Sequence, residues 1–173
     1  MPYDPDIHHR RSIRLAGYDY SQAGAYFVTI CIQNHECLLG QATSGIVTLN
    51  AAGEMVQRVW LELPEHYGVA GDAFVVMPNH VHWVVWLPDE TPPGASPLTL
   101  HDIVHRFKSL TTARYRQGVL RDAWPAFNGR LWQRNYYEHI VRNDDDLARI
   151  RQYIAENPAR WHEDRDNPHR DRP

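Results

Sequence analysis

The chain has 173 residues, 43% hydrophobic and 23% charged, with a formal net charge of −3. That is the size of one globular domain with a sizeable core, and no apolar run approaches the ~18–20 residues that span a bilayer, so a membrane partner is excluded. Two cysteines, Cys31 and Cys37, make no disulfide framework and match no common zinc spacing, and the polar start has no secretory leader, so a reduced, cytoplasmic protein is expected.

Residues 1–24 read as an irregular basic arm carrying Arg10, Arg11 and Arg14. Residues 25–32, aromatic and β-branched, predict a central strand, and residues 45–49 a short second one. Asn50 suits the N-cap of a helix reaching ~65, with Met55, Val56, Val59, Trp60 and Leu63 at helical spacing. Residues 73–77 and 80–87 are strand-like, and Pro78-Asn79 between them means either two joined strands or one bent strand. A Pro-rich linker over 89–97 precedes Thr99, which caps a helix over 100–118 that buries Ile103, Val104, Phe107 and Leu110. Residues 119–131 read as a loop and 132–141 as a strand or irregular extended segment. Asn143 caps a last helix whose first turn, Asp144-Asp145-Asp146, suits the helix dipole and which ends at Asn157-Pro158. The charged tail 159–173 is expected to wrap the surface or stay disordered. The division is thus an arm over 1–24, a domain over 25–158 and a tail over 159–173. The β-β-α-β-β-α-β-α order predicts an α+β fold, an antiparallel sheet with helices packed on one face.

Chemistry concentrates in two places. On a strand, His80 and His82 point to the same face, so two imidazoles stand side by side on an otherwise apolar element. A shared transition-metal ion would satisfy both, and so would hydrogen bonds to carboxylates or water. On the last helix Tyr153 and Asn157 are one turn apart and share a face. A phenol there can attack phosphorus once its proton is lost, and the amide oxygen of Asn157 suits a third metal ligand; a packed core tyrosine is the alternative. Tyr136 and Tyr137 rank lower as nucleophiles and fit packing or base stacking better, His139 fits a structural role better than an approach to the site, and Trp83 and Trp86 fit the core better than a role as stacking platforms.

The charge of −3 argues against coating nucleic acid by bulk charge. Arginine nevertheless supplies nearly all the positive charge, Lys108 being the only lysine, and arginine is the better bidentate phosphate ligand. Arg106, Lys108 and Arg114 on one helix, with Arg134 and Arg142 flanking the tyrosine region, either contact a DNA backbone or form solvated faces. Arg10, Arg11 and Arg14 are candidates to reach into a nucleic-acid groove.

Met77-Pro78-Asn79-His80-Val81-His82, followed near the end of the chain by Tyr153-Ile154 and Asn157-Pro158, resembles the REP-associated tyrosine transposases, a branch of the insertion-sequence 200-like, single-tyrosine HUH nucleases. Residues 26–29, 103–109 and 132–142 agree with the first strand, the second helix and the segment before the tyrosine helix of that family. After Pro158 the chain departs from the small-residue and glycine continuation of many relatives. The resemblance implies a ferredoxin-like HUH nuclease core with the histidine pair on a central strand. It implies Mg²⁺ or Mn²⁺ held by His80, His82 and Asn157, and attack by Tyr153 on single-stranded DNA. The products would be a 5′-phosphotyrosine link and a free 3′-OH, and the substrates hairpin-forming palindromic repeats. A monomer or homodimer is compatible with it. A domain that binds hairpin DNA or RNA without cutting it is the second reading, and a small-molecule metallohydrolase the third.

Overall fold

The computed structural model describes residues 19–90, 94 and 96–170; Arg10, Arg11 and Arg14 and most of the expected arm lie outside the described residues. In chain order the elements are β1 (Gly24–Cys31), β2 (Gly40–Thr43), β3 (Ile46–Leu49), α1 (Ala51–Tyr67), β4 (Ala70–Val76), β5 (His80–Leu87), α2 (Leu100–Arg121), β6 (Tyr137–Ile140) and α3 (Asp144–Glu156). Four strands form one antiparallel sheet in the order β4-β5-β1-β6, with β2 and β3 as a separate hairpin. β1 and β4 run parallel with β5 between them, the split β-α-β arrangement of ferredoxin-like folds.

Strand parity sorts the side chains. Val28 and Ile30 of β1 and Val81, Trp83 and Val85 of β5 face the main core under α1 and α2. Trp83 is fully buried there, its ring stacked on Trp60 and edge-on to Phe107, each at 4.5 Å between centroids. Ala25, Phe27 and Val84 face the other way, against Leu147 and Ile154 of α3. The expectation of helices on one face is therefore corrected: α3 covers the opposite face. Strands apolar on both sides require cover on both sides, and β1 and β5 are buried along nearly their whole length.

The caps form as expected. Asn50 accepts from the Gly53 amide, Thr99 and Asp102 form a reciprocal capping box, and Asn143 accepts from the Asp146 amide. Two ends differ. α1 continues through Pro64 to Tyr67 and stops on Gly68 in the left-handed conformation. α2 passes Gly118, where a side chain would collide with the Trp124 ring, so this glycine serves close packing rather than termination. β2 carries no apolar alternation that would mark it as a strand; the two-residue turn Ser44-Gly45, both at positive φ, pairs it with β3. Among the described residues no helix is long and apolar enough to cross a membrane.

Candidate active site

Met77-Pro78-Asn79 is a tight reversal that joins β4 to β5, with Val76 paired to Val81 and the Met77 amide donating to His80 O at 2.8 Å. His80 follows at once, and alternation carries His80 and His82 to the α3 face of the sheet. Both are buried, and their Nε2 atoms lie 3.0 Å apart. The neighbours fix the rings. Asn79, wholly buried, donates from Nδ2 to the carbonyls of His35 and Asp166, so its Oδ1 is left to accept from His80 Nδ1 at 2.9 Å. That leaves the His80 Nε2 lone pair facing the site. Thr29, opposite His82 in the β1–β5 register, places Oγ1 2.7 Å from His82 Nδ1. Burial, the largest cause for each ring, pushes both pKa values down, so both imidazoles are neutral at pH 7, the ligand form.

α3 delivers Tyr153 to this point. Its hydroxyl lies 3.5 Å from His82 Nε2, and its ring meets Phe27 edge-on at 5.9 Å. Tyr153 remains 44% exposed, so the phenol is reachable from solvent. Burial first, and the Asp164 carboxylate second, raise its pKa. Asn157, one turn on, is buried, and its Oδ1 is sealed from solvent with no hydrogen-bond partner. An orphaned buried oxygen of this kind calls for a ligand. The tail folds back as a wrap: after a 3₁₀ turn at Trp161–Glu163, Asp164 Oδ2 lies 3.7 Å from His80 Nε2. His80, His82 and Asp164 bring their ligand atoms within 4.8 Å of one another. Two imidazoles, a carboxylate and an orphaned amide oxygen form a donor set that fits one divalent cation. The whole constellation borders a cleft of about 660 Å³ lined by Phe27, Tyr137, His139, Arg149, Arg160, Arg165 and Arg170 among others.

Of the residues singled out in the sequence, the fold thus brings His80, His82, Tyr153 and Asn157 together. It does not bring the α2 cations to them, because α2 covers the other face of the sheet. The Arg106 guanidinium stacks 4.6 Å from the Tyr67 ring centroid, and Arg114 makes a two-pronged ion pair with Glu62. Lys108 Nζ donates to the Gln133 and Arg134 carbonyls at 2.9 and 3.3 Å, fixing the chain that leads into β6. Arg134 and Arg142 are exposed and do not line the cleft. Tyr136 is buried in the main core, whereas Tyr137 is 48% exposed and faces the cleft. His139 pairs with Asp146 at 2.8 Å. Sequence reasoning missed Asn79, Thr29, Asp164 and the cleft arginines 149, 160, 165 and 170. Strand parity on β1 could have found Thr29; the aperiodic tail carries no signal that places Asp164 or its arginines.

Residues 32–157 match the model of a family described as "Transposase IS200 like". A Haemophilus influenzae protein described as "Uncharacterized protein" is 36% identical over 94% of this chain and 95% of its own length. A second protein of that organism, described as "Putative REP-associated tyrosine transposase", is 26% identical over 82% of this chain and 74% of its own. The solved structure of a REP-associated tyrosine transposase bound to a REP hairpin superposes with a TM-score of 0.55 at 20% identity, covering 86% of this chain and 74% of that one. At that identity the likeness is one of fold.

Proposed function

The chain belongs to the IS200-like transposase family, and we propose on that premise that it cuts and rejoins hairpin-forming single-stranded DNA through a covalent bond to Tyr153. The observation that carries the proposal is the Tyr153 hydroxyl at 3.5 Å from His82 Nε2, with the orphaned Asn157 Oδ1 one turn away on the same helix. A nucleophile, a pair of neutral imidazoles and an unclaimed oxygen donor converge on one accessible cleft.

Tyr153 Oη attacks phosphorus; the bond to the 3′ oxygen breaks, leaving a 5′-phosphotyrosine and a free 3′-OH. The phenol gives up one proton and the departing 3′ oxygen takes one up, so no net proton is consumed. Bond energy is kept in the phosphotyrosine, and a 3′-OH can reverse the attack without ATP. A divalent cation of the Mg²⁺ or Mn²⁺ class, held by His80 Nε2, His82 Nε2 and Asn157 Oδ1, would polarise the phosphate. Asn79 and Thr29 hold the imidazoles in place from behind, which orients the donors before substrate arrives. Phe27 braces the Tyr153 ring, and the cleft arginines supply cations where the strand backbone would lie. The hairpin preference is part of the proposal; the fold it shares with a REP-associated transposase solved on a REP hairpin supports it.

The test is incubation with Mn²⁺ and a panel of labelled hairpin oligonucleotides, followed by denaturing electrophoresis. Wild type forms a protein–DNA adduct; Tyr153→Phe abolishes it and still binds the oligonucleotide. Adducts that survive Tyr153→Phe and vanish in Tyr137→Phe would transfer the role to the other cleft tyrosine. Hairpin binding with no adduct under any metal would instead identify a non-cleaving DNA-binding protein.

A further inference from the structure

Beside the histidine pair, at the far end of β1, lies a second cluster that the mechanism leaves unused. Cys31 Sγ is 3.7 Å from Asp166 Oδ2, and His35 Nδ1 is 3.5 Å from Asp166 Oδ1. The three ligand atoms lie within 4.8 Å of one another. His35 Nδ1 is shut off from solvent and has no hydrogen-bond partner, although the ring as a whole is 41% exposed. Asn34 and His35 both adopt positive φ, a conformation that costs energy in residues other than glycine, and it is at this turn that the imidazole meets Asp166. An orphaned imidazole nitrogen and a thiol, from the end of β1 and the turn after it, and a carboxylate from the tail bring three donors of different chemistry to one point.

We propose that Cys31, His35 and Asp166 bind a zinc-class divalent cation, separate from the ion of the histidine pair, and that this ion ties the tail to the end of the sheet. The chemistry of the donors selects the ion. Sulfur beside imidazole favours zinc over Mg²⁺ or Mn²⁺, which prefer oxygen. Around tetrahedral zinc, with ~2.3 Å to sulfur and ~2.0 Å to nitrogen or oxygen, neighbouring donors stand roughly 3.3–3.5 Å apart. Cys31 Sγ is that close to Asp166 Oδ2 and His35 Nδ1 to Oδ1; because two different oxygens make these approaches, the carboxylate turns slightly to give one oxygen to the ion, and water completes the fourth position. His35 Nε2 lies 3.1 Å from the Gln133 side-chain amide. A Gln133 amide turned to present Oε1 accepts from Nε2–H and leaves the Nδ1 lone pair to the metal. Without a cation, burial and Asp166 hold the Cys31 thiol protonated, its pKa pushed up to about 12; binding releases that proton to solvent. The consequence reaches the active site, because the Asp166 carbonyl accepts from Asn79 and Asp164 is two residues away beside His80.

The test is cobalt titration of the full-length protein carrying His80→Ala and His82→Ala, which removes the other site. A near-ultraviolet thiolate-to-cobalt charge-transfer band appears with one equivalent of metal, is displaced by Zn²⁺ and survives excess Mg²⁺. Cys31→Ser and His35→Ala each lose the band, and Cys37→Ser keeps it. Circular dichroism checks that the variants fold, and the half-exposed His35 gives the same readout should Cys31→Ser fail. In the same His80→Ala, His82→Ala protein, one equivalent of zinc slows amide hydrogen exchange over residues 161–168. No band at saturating cobalt, or a band lost in Cys37→Ser, overturns the site. Exchange unchanged by zinc overturns the anchoring of the tail. Neither readout depends on DNA cleavage, so failure here and failure of the proposed function are distinguishable.

Discussion

Tyr153 is held protonated chiefly by burial, with the Asp164 carboxylate as the second cause. A nucleophilic phenol with a raised pKa is a weak nucleophile at neutral pH, and the part of that handicap due to Asp164 is removable. Asp164→Asn keeps the size of the side chain, removes its charge and replaces a candidate carboxylate donor by an amide, so Mn²⁺ is brought to saturation for each protein separately. The sign follows directly: without the negative charge the phenolate costs less, the Tyr153 pKa falls, and the rising limb of adduct formation against pH moves to lower pH. The measurement is the pH profile of the initial adduct rate at saturating Mn²⁺ for both proteins. A profile that stays in place, or moves to higher pH, would show that Asp164 serves Tyr153 in some other way. The same residue marks what a sequence can and cannot disclose at this scale. His80, His82, Tyr153 and Asn157 were legible because strand and helix periods state which side chains share a face. Asp164 sits in a run of turns with no period, and its approach to His80 depends on a tail path set by Asn79 and Asp166, far apart in the chain.

α3 docks on little apolar surface, Leu147 and Ile154 being its only buried residues, yet it must hold Tyr153 in register with β5. Polar contacts at its side carry part of the load. Arg151 donates from Nε and Nη2 to Asp72 at 2.8 and 2.6 Å, tying α3 to β4, and Trp86 Nε1 donates to the same carboxylate at 3.0 Å. The Arg151 hydrogen bond, first, lowers the Asp72 pKa from 3.8 to about 2. Because Arg151 is half-exposed, solvent screening reduces the stabilisation to about 1 kcal/mol. A depressed carboxylate pKa contributes stability above 3.8, and that contribution is lost as pH falls toward about 2. Asp72→Asn is thus expected to lower stability by about 1 kcal/mol at neutral pH and to converge with wild type in acid, measured by urea unfolding across that range. It also lowers the adduct yield, since a looser α3 spends less time with Tyr153 in place. A constant gap at all pH values would mean that shape, and not charge, is what Asp72 provides. α3 itself was legible from its Asn143 cap and acidic first turn. Its side of the sheet was not, because apolar positions on one helix do not say which face of a doubly apolar sheet they meet. β2 was invisible because its four residues pair only with β3 and bury little.

The net charge of −3 means that the molecule as a whole does not attract DNA, so binding depends on where the cations are placed. The fold places them unevenly. On α2, the Arg114 guanidinium is paired with Glu62 and Lys108 caps carbonyls, whereas Arg149, Arg160, Arg165 and Arg170 line the cleft beside Tyr153. The exposed ion pairs that two of these make within the tail and α3, Arg160 with Glu163 and Arg149 with Asp146, are long and weak, and a phosphate displaces them at little cost. A single strand laid across the cleft would therefore meet a small, local set of arginines. If each neutralises one phosphate, the logarithm of the binding constant falls with the logarithm of salt concentration with a slope of about 3. Arg160→Ala and Arg165→Ala would each reduce that slope by about 0.7, while Arg114→Ala would leave it unchanged. The measurement is hairpin affinity by fluorescence anisotropy at several salt concentrations, on Tyr153→Phe protein so that binding is not confused with covalent capture. A slope that falls in Arg114→Ala and not in the cleft variants would put the DNA on the α2 face, away from the histidine pair. The backbone would then approach from the wrong side of the sheet for Tyr153, and the covalent mechanism would fail with it.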